Sequence, residues 1–96
     1  MDLLIIVSNA KSKPVLLPLA QACAAKGINW AVFFTNDGVA MLGDEKLVKA
    51  LGSTSQAIVC HESWIKFMSE APCPLELGSQ TNNSAMLADA TRVLGL

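Results

Sequence analysis

The sequence predicts an α/β fold, a three-layer α/β/α arrangement with a mostly parallel sheet of roughly five strands. Three observations predict it. Short apolar runs rich in β-branched residues alternate with helical segments along all 96 residues, the order in which crossover helices join parallel strands. The first run, Leu3 to Val7, is apolar without alternation, as a strand buried on both faces must be. The chain is 52% hydrophobic and only 16% charged, which excludes disorder. It reads as one domain over residues 1–96, because a split would leave each half too small to hold a core.

The elements follow in order. Ser8 to Lys13 is a polar loop. Pro14 to Lys26 is a helix with Leu16, Leu17, Ala20, Cys23 and Ala24 at helical spacing, ended by Gly27. Pro18 cannot donate to the Pro14 carbonyl, so the helix either starts late or has an irregular first turn. Ile28 to Thr35 is the second strand, with Trp30, Val32 and Phe34 alternating against Ala31 and Phe33. Asp37 in Asn36-Asp37-Gly38 is the expected N-cap of a turn over Val39 to Leu42. Asp44 caps a helix over Glu45 to Leu51, closed by Gly52. Ala57 to Cys60 is a third strand, and His61 to Ser69 a helix with Trp64, Ile65 and Met68 on one face. Pro72-Cys73-Pro74 is a rigid connector. Leu75 to Leu77 is a fourth strand, Gly78 to Asn83 a polar loop, Ser84 to Thr91 a helix and Arg92 to Leu96 a last strand.

Charge and cysteine usage limit the function classes. Net charge is −1, and no basic run exceeds Lys11-Ser12-Lys13, which argues against nucleic acid. No apolar run approaches the ~18–20 residues of a membrane span. The opening Met-Asp-Leu-Leu-Ile-Ile-Val has no basic leader and reads as a strand. Three cysteines, an odd number, do not make a disulfide framework. The expectation is a soluble, cytoplasmic protein with no nucleic-acid or membrane partner. A domain of this size buries only about 60–65% of its unfolded surface. So apolar a chain retains greasy surface, and the expected outlet is a homo-oligomer.

Ligands of open α/β sheets bind at the carboxyl ends of the strands. Four polar loops lie there. The first holds Asn9, the second Asn36, Asp37 and Gly38, the third Cys60 and His61, and the fourth Gln80 and Asn82. Taken singly, such residues read as turns and helix caps, and it is their joint position on one rim that points to a site. Cys60 both ends a strand and opens a helix, where free N–H groups and the helix dipole stabilise a thiolate, the reactive form of the thiol. His61 adds to this when protonated, and Glu62 opposes it. The alternative is a core cysteine filling space. Cys73 is either a resolving thiol for Cys60 or an incidental loop thiol, and Cys23 is a core residue. There is no CxxC and no paired His, so neither a metal site nor a dithiol centre is expected. No GxGxxG or P-loop follows the first strand, and no cofactor is expected. The lone His61 lacks the serine elbow and acid of a hydrolytic triad.

Four segments resemble a known family. They are the strand Leu3 to Val7 with a helix ending Ala24-Ala25-Lys26-Gly27, and the strand-turn Trp30-Ala31-Val32-Phe33-Phe34-Thr35-Asn36-Asp37-Gly38-Val39. The others are Leu47 through Cys60, and Ala85 to Leu94 with its Asp-Ala-Thr-Arg-Val-Leu end. In this order they resemble the DsrE/DsrF/DsrH-like sulfur-relay family, which has the YchN-like fold. The resemblance implies a five-stranded parallel sheet, assembly as dimers, trimers or hexamers, and persulfide transfer between donor and acceptor proteins. It implies that Cys60 accepts the sulfane sulfur, making the chain a persulfide-carrying sulfurtransferase. It departs from that family in His61-Glu62-Ser63-Trp64, which is bulkier and more polar than the small residues of an open acceptor site. The competing expectation is a non-enzymatic homo-oligomeric binding or accessory protein of the same fold, with Cys60 structural.

Overall fold

The structure, a computed structural model, describes all residues from 1 to 96. Five strands form one sheet: β1 (Leu3–Val7), β2 (Trp30–Phe34), β3 (Gln56–Cys60), β4 (Glu76–Gly78) and β5 (Arg92–Gly95). Their order is β4-β3-β2-β1-β5 and every pairing is parallel. The helices are α1 (Lys13–Lys26), α2 (Glu45–Ala50), α3 (His61–Met68) and α4 (Gln80–Asp89), with 3-10 turns at Ala10–Ser12, Asn36–Gly43 and Leu51–Ser53.

The order dictates the layers. From β1 to β4 each strand is laid beside the last in one direction, and right-handed crossovers then put α1, α2 and α3 on one face. The step from β4 back to β5 crosses the sheet in the opposite direction, so α4 lies on the other face. The core divides accordingly. One cluster joins Ile5, Val7, Val32, Phe34 and Val59 to Leu16, Ala20 and Cys23 of α1, Leu47 of α2 and Trp64 of α3. The other holds Leu4, Ala31, Phe33, Ile58 and Cys60 under Met86 of α4. All five residues of β2 are fully buried because layers cover both faces of this central strand. Trp30 also keeps its indole N–H satisfied, donating to Ser53 Oγ at 3.1 Å.

Local signals set most element ends. Gly27 closes α1 in the left-handed conformation with φ 65°, which only glycine adopts at no steric cost. Asp44 caps α2 by accepting from the Lys46 N–H at 2.9 Å. Helix α1 runs unbroken through Pro18. Pro18 and Pro14 are both exposed, so the carbonyl that loses its donor lies on the solvent side, and the irregularity falls in the 3-10 turn before Lys13.

Three local expectations are corrected. Asp37 is not an N-cap: Thr35 precedes the 3-10 turn, and Asp37 Oδ1 instead accepts from the Ala10 N–H at 3.2 Å. Ile65 is 55% exposed, and α3 buries Ser63 and Trp64 instead. Residues 80–83 are not a loop. Helix α4 begins at Gln80 because Ser79 Oγ accepts from the Thr81 N–H at 3.2 Å while Asn82 Oδ1 accepts from the Ser79 N–H at 2.8 Å, a reciprocal cap. No helix is long and apolar enough to cross a membrane. Strand β5 is exposed along its length, and Val93, Leu94, Leu87 and Leu77 leave apolar surface in water at both sheet edges and on α4.

Candidate functional site

A cavity of about 640 Å³ opens at the carboxyl ends of β2, β3 and β4. Its walls come from three junctions. Thr35 and Asn36 follow β2, Cys60 to Ser63 pass from β3 into α3, and Gly78 to Thr81 pass from β4 into α4. Cys60 is the one hydrophobic lining residue. The N-termini of α3 and α4 therefore meet at one polar hollow, with their free N–H groups and positive dipole ends directed toward it. The first turn of α4 carries no acidic side chain, while that of α3 carries Glu62.

Register explains the assembly. Cys60 pairs with Gly78 across the β3–β4 ladder. A Cβ on Gly78 would stand 2.6 Å from Ile58 Cγ2 and 2.7 Å from Asn82 Oδ1, so a side chain here would have to displace Ile58 or the Asn82 side chain that caps α4. On the other side Phe34 pairs with Val59, and Thr35, one residue further, comes alongside Cys60. Asn36 has φ 51°, a left-handed conformation that asparagine tolerates better than most residues. Its N–H donates to Ser63 Oγ at 2.9 Å. Ser63 Oγ also lies 3.5 Å from Thr35 Oγ1.

The three cysteines occupy different environments. Burial pushes the Cys23 thiol up. Burial likewise raises Cys73, partly offset by the Leu75 N–H. Burial alone would raise Cys60 too, but the Ser63 hydroxyl, the Ser63 and Glu62 N–H groups and the Thr35 hydroxyl outweigh it and bring the thiol below its ordinary range. No capping hydrogen bond of ordinary geometry reaches Sγ. The N–H groups act on the sulfur charge as oriented dipoles. Cys60 is 6% exposed, a sulfur at the floor of the hollow.

Of the residues singled out in the sequence, Cys60, Asn36, His61 and Gln80 line the cavity. Asn9, Asp37, Gly38 and Asn82 do not. Asn9 caps the Ala10–Ser12 turn through the Lys11 N–H at 2.9 Å, and Asp37 ties that turn to the loop after β2. Gly38 is packed on β1, where a Cβ would lie 2.6 Å from the Val7 carbonyl oxygen. Asn82 serves the cap of α4. Cys73 packs against the larger cluster, on the sheet face opposite Cys60. Thr35 and Ser63 were missed as site residues. A signal existed for Ser63: Cys60-His61-Glu62-Ser63 has the spacing of a capping box, with cysteine at the cap and a hydroxyl three residues on.

No set of three or more His, Cys, Asp or Glu side chains is gathered to hold a metal ion. No family model, curated protein or solved structure matches this chain.

Proposed function

We propose that this chain is a cytoplasmic, homo-oligomeric sulfur-relay protein of the DsrE/DsrF/DsrH-like kind, with Cys60 as the carrier of sulfane sulfur. The observation that carries the reading is the contrast among the thiols. Cys60 alone lines a polar cavity and is drawn toward the thiolate, whereas burial raises Cys23 and Cys73. The thiolate attacks the outer sulfur of a donor persulfide. The donor S–S bond breaks, the donor leaves as a thiolate, and Cys60 becomes Cys–S–SH. An acceptor thiolate then attacks that outer sulfur and releases Cys60 as a thiolate. Zero-valent sulfur moves in both steps, and no outside oxidant or reductant is consumed.

Two features shape the relay. The converging N-termini of α3 and α4 favour the anionic forms of the thiol and persulfide. Cys73 and Cys23 pack with the cluster on the sheet face opposite Cys60, which supports an acceptor thiol supplied by a partner protein rather than by Cys73. The exposed Val93, Leu94 and Leu77 at the sheet edges are the surface assigned to self-association.

One observation favours a second reading, that of an accessory protein with a structural Cys60: the residue is only 6% exposed. Mass spectrometry separates the two. The folded protein is incubated with polysulfide, and the peptides are mapped beside those of Cys60→Ser. The relay reading expects one added sulfur on Cys60, absent from the variant, in an assembly of unchanged size. A Cys60 that takes up no sulfur and resists alkylation until the chain unfolds overturns it in favour of the structural reading.

A further inference from the structure

We propose that Ser63 is the positioning residue of this site: its hydroxyl, oriented by the Asn36 backbone N–H, turns its proton onto Cys60 Sγ and holds the ionised sulfur. This rests on the reading that Cys60 is the reacting nucleophile, and it names the group that makes it one.

Ser63 is the one polar residue buried as a whole, at 8% exposed. Such a hydroxyl costs free energy unless its hydrogen-bonding capacity is used. Half of its use is visible. The Asn36 N–H donates to Oγ at 2.9 Å, which occupies a lone pair and leaves the hydroxyl proton to be placed. Thr35 Oγ1 is one taker, but at 3.5 Å it stands at the outer limit for a hydroxyl pair. Cys60 Sγ is the other. Cys60 is the N-cap of α3 and Ser63 its third helical residue, the two positions that face each other in a capping box. A charged acceptor outcompetes a neutral hydroxyl for a donor, so ionising Cys60 draws the Ser63 proton to sulfur. Thr35 is then left to turn its own proton to Ser63 or to the sulfur.

Asn36 supplies the fixed point. Its left-handed backbone, φ 51°, is a conformation held at a cost outside glycine, and it belongs to the residue whose N–H meets Ser63. Among the groups that lower the Cys60 thiol against its burial, the Ser63 hydroxyl leads. When Cys60 ionises, the S–H bond breaks, the electron pair stays on sulfur and the proton leaves through the cavity to solvent.

The test is the pH dependence of Cys60 alkylation by iodoacetamide in the folded full chain, followed by peptide mass spectrometry. The S–C bond forms as iodide leaves, so the rate tracks the thiolate fraction. Ser63→Ala is expected to move the midpoint upward by about one pH unit, making neutral-pH alkylation about tenfold slower. At alkaline pH it should regain the wild-type rate. Ser63→Thr, which keeps the hydroxyl, should keep the wild-type midpoint. An alanine profile that superimposes on the wild type overturns the proposal, as does one lowered by the same factor at every pH. Should the alanine variant not fold, a folded Ser63→Thr with a raised midpoint overturns it independently. The two readings fail separately. A protein that alkylates as described but takes no sulfur refutes the relay and leaves Ser63 in its role. Sulfur loading with an unmoved Ser63→Ala profile does the reverse.

Discussion

Gly38→Ala tests whether the loop after β2 serves the fold or the ligand. A methyl at this position would lie 2.6 Å from the Val7 carbonyl oxygen and 3.0 Å from its carbon. Both are backbone atoms at the end of β1, which lies between β2 and β5, so no flexible side chain can yield. The same Val7 oxygen accepts from the Thr35 N–H at 2.9 Å. Relieving the clash therefore pushes the loop outward and stretches that bond. Overpacking costs about 1–3 kcal/mol, and a weakened backbone hydrogen bond about 0.5–1.5 kcal/mol more. Together these come to roughly 1.5–4.5 kcal/mol, a fall in Tm of about 6–36 °C for a domain of this size. Gly43→Ala is the matched control, since nothing lies within 4 Å of its Cβ position. It should be neutral or gain up to about 1 kcal/mol through loss of unfolded-state entropy. Urea unfolding followed by circular dichroism, with equal m-values, measures both. Two alanine variants of equal stability would refute the reasoning, because the contact with Val7 would then carry no energy.

Two further outcomes are expected. Asp44 is held below the ordinary carboxylate range by its hydrogen bond to Lys13 and by the Lys46 N–H. The unfolded chain thus binds more protons as pH falls through the acid range, and this contribution to stability is present above the unfolded carboxylate pKa and lost through the folded one. Asp44→Asn should flatten the acid limb of Tm against pH, high salt should shrink the difference, and an unchanged limb would show that the pair contributes nothing. Ser79→Ala removes one arm of the cap on α4. It should cost about 0.5–2 kcal/mol and speed amide exchange in α4 more than in α1, and uniform exchange across both helices would count against it.

Most of the secondary structure is legible locally. The apolar run Leu3–Val7, Gly27 after Lys26, and Asp44 before Glu45 each act within a few residues, through burial pattern, left-handed backbone or a capping oxygen. The misses are also local, but they lie where two signals compete. Residues 80–83 carry the polar composition of a loop, yet Ser79 and Asn82 satisfy each other's backbone donors and start a helix there. Ile65 has the helical spacing of a core residue, but α3 is rolled so that Ser63 and Trp64 turn inward, and Trp64 is tied by its indole N–H to the Ala71 carbonyl at 2.7 Å.

The sequence by itself determined the α/β class, the single parallel sheet and the place of Cys60 at a strand-to-helix junction, since periodicity and capping are short-range effects. It also brought four carboxyl-end loops into consideration without separating them. Only the tertiary structure decided among these. Because β5 returns to the far side of β1, α4 crosses alone on the second face, and its N-terminus reaches the hollow over β3 and β4. The loop after β1 is bound instead to Asp37. Asn9, Asp37 and Gly38 thereby became supports of the fold. Thr35 and Ser63, which lie 28 residues apart in the chain, became neighbours of one sulfur. Strand order, and the meeting of the Asn36 N–H with Ser63 Oγ, depend on contacts between distant residues, which the local capping-box spacing of Ser63 does not encode.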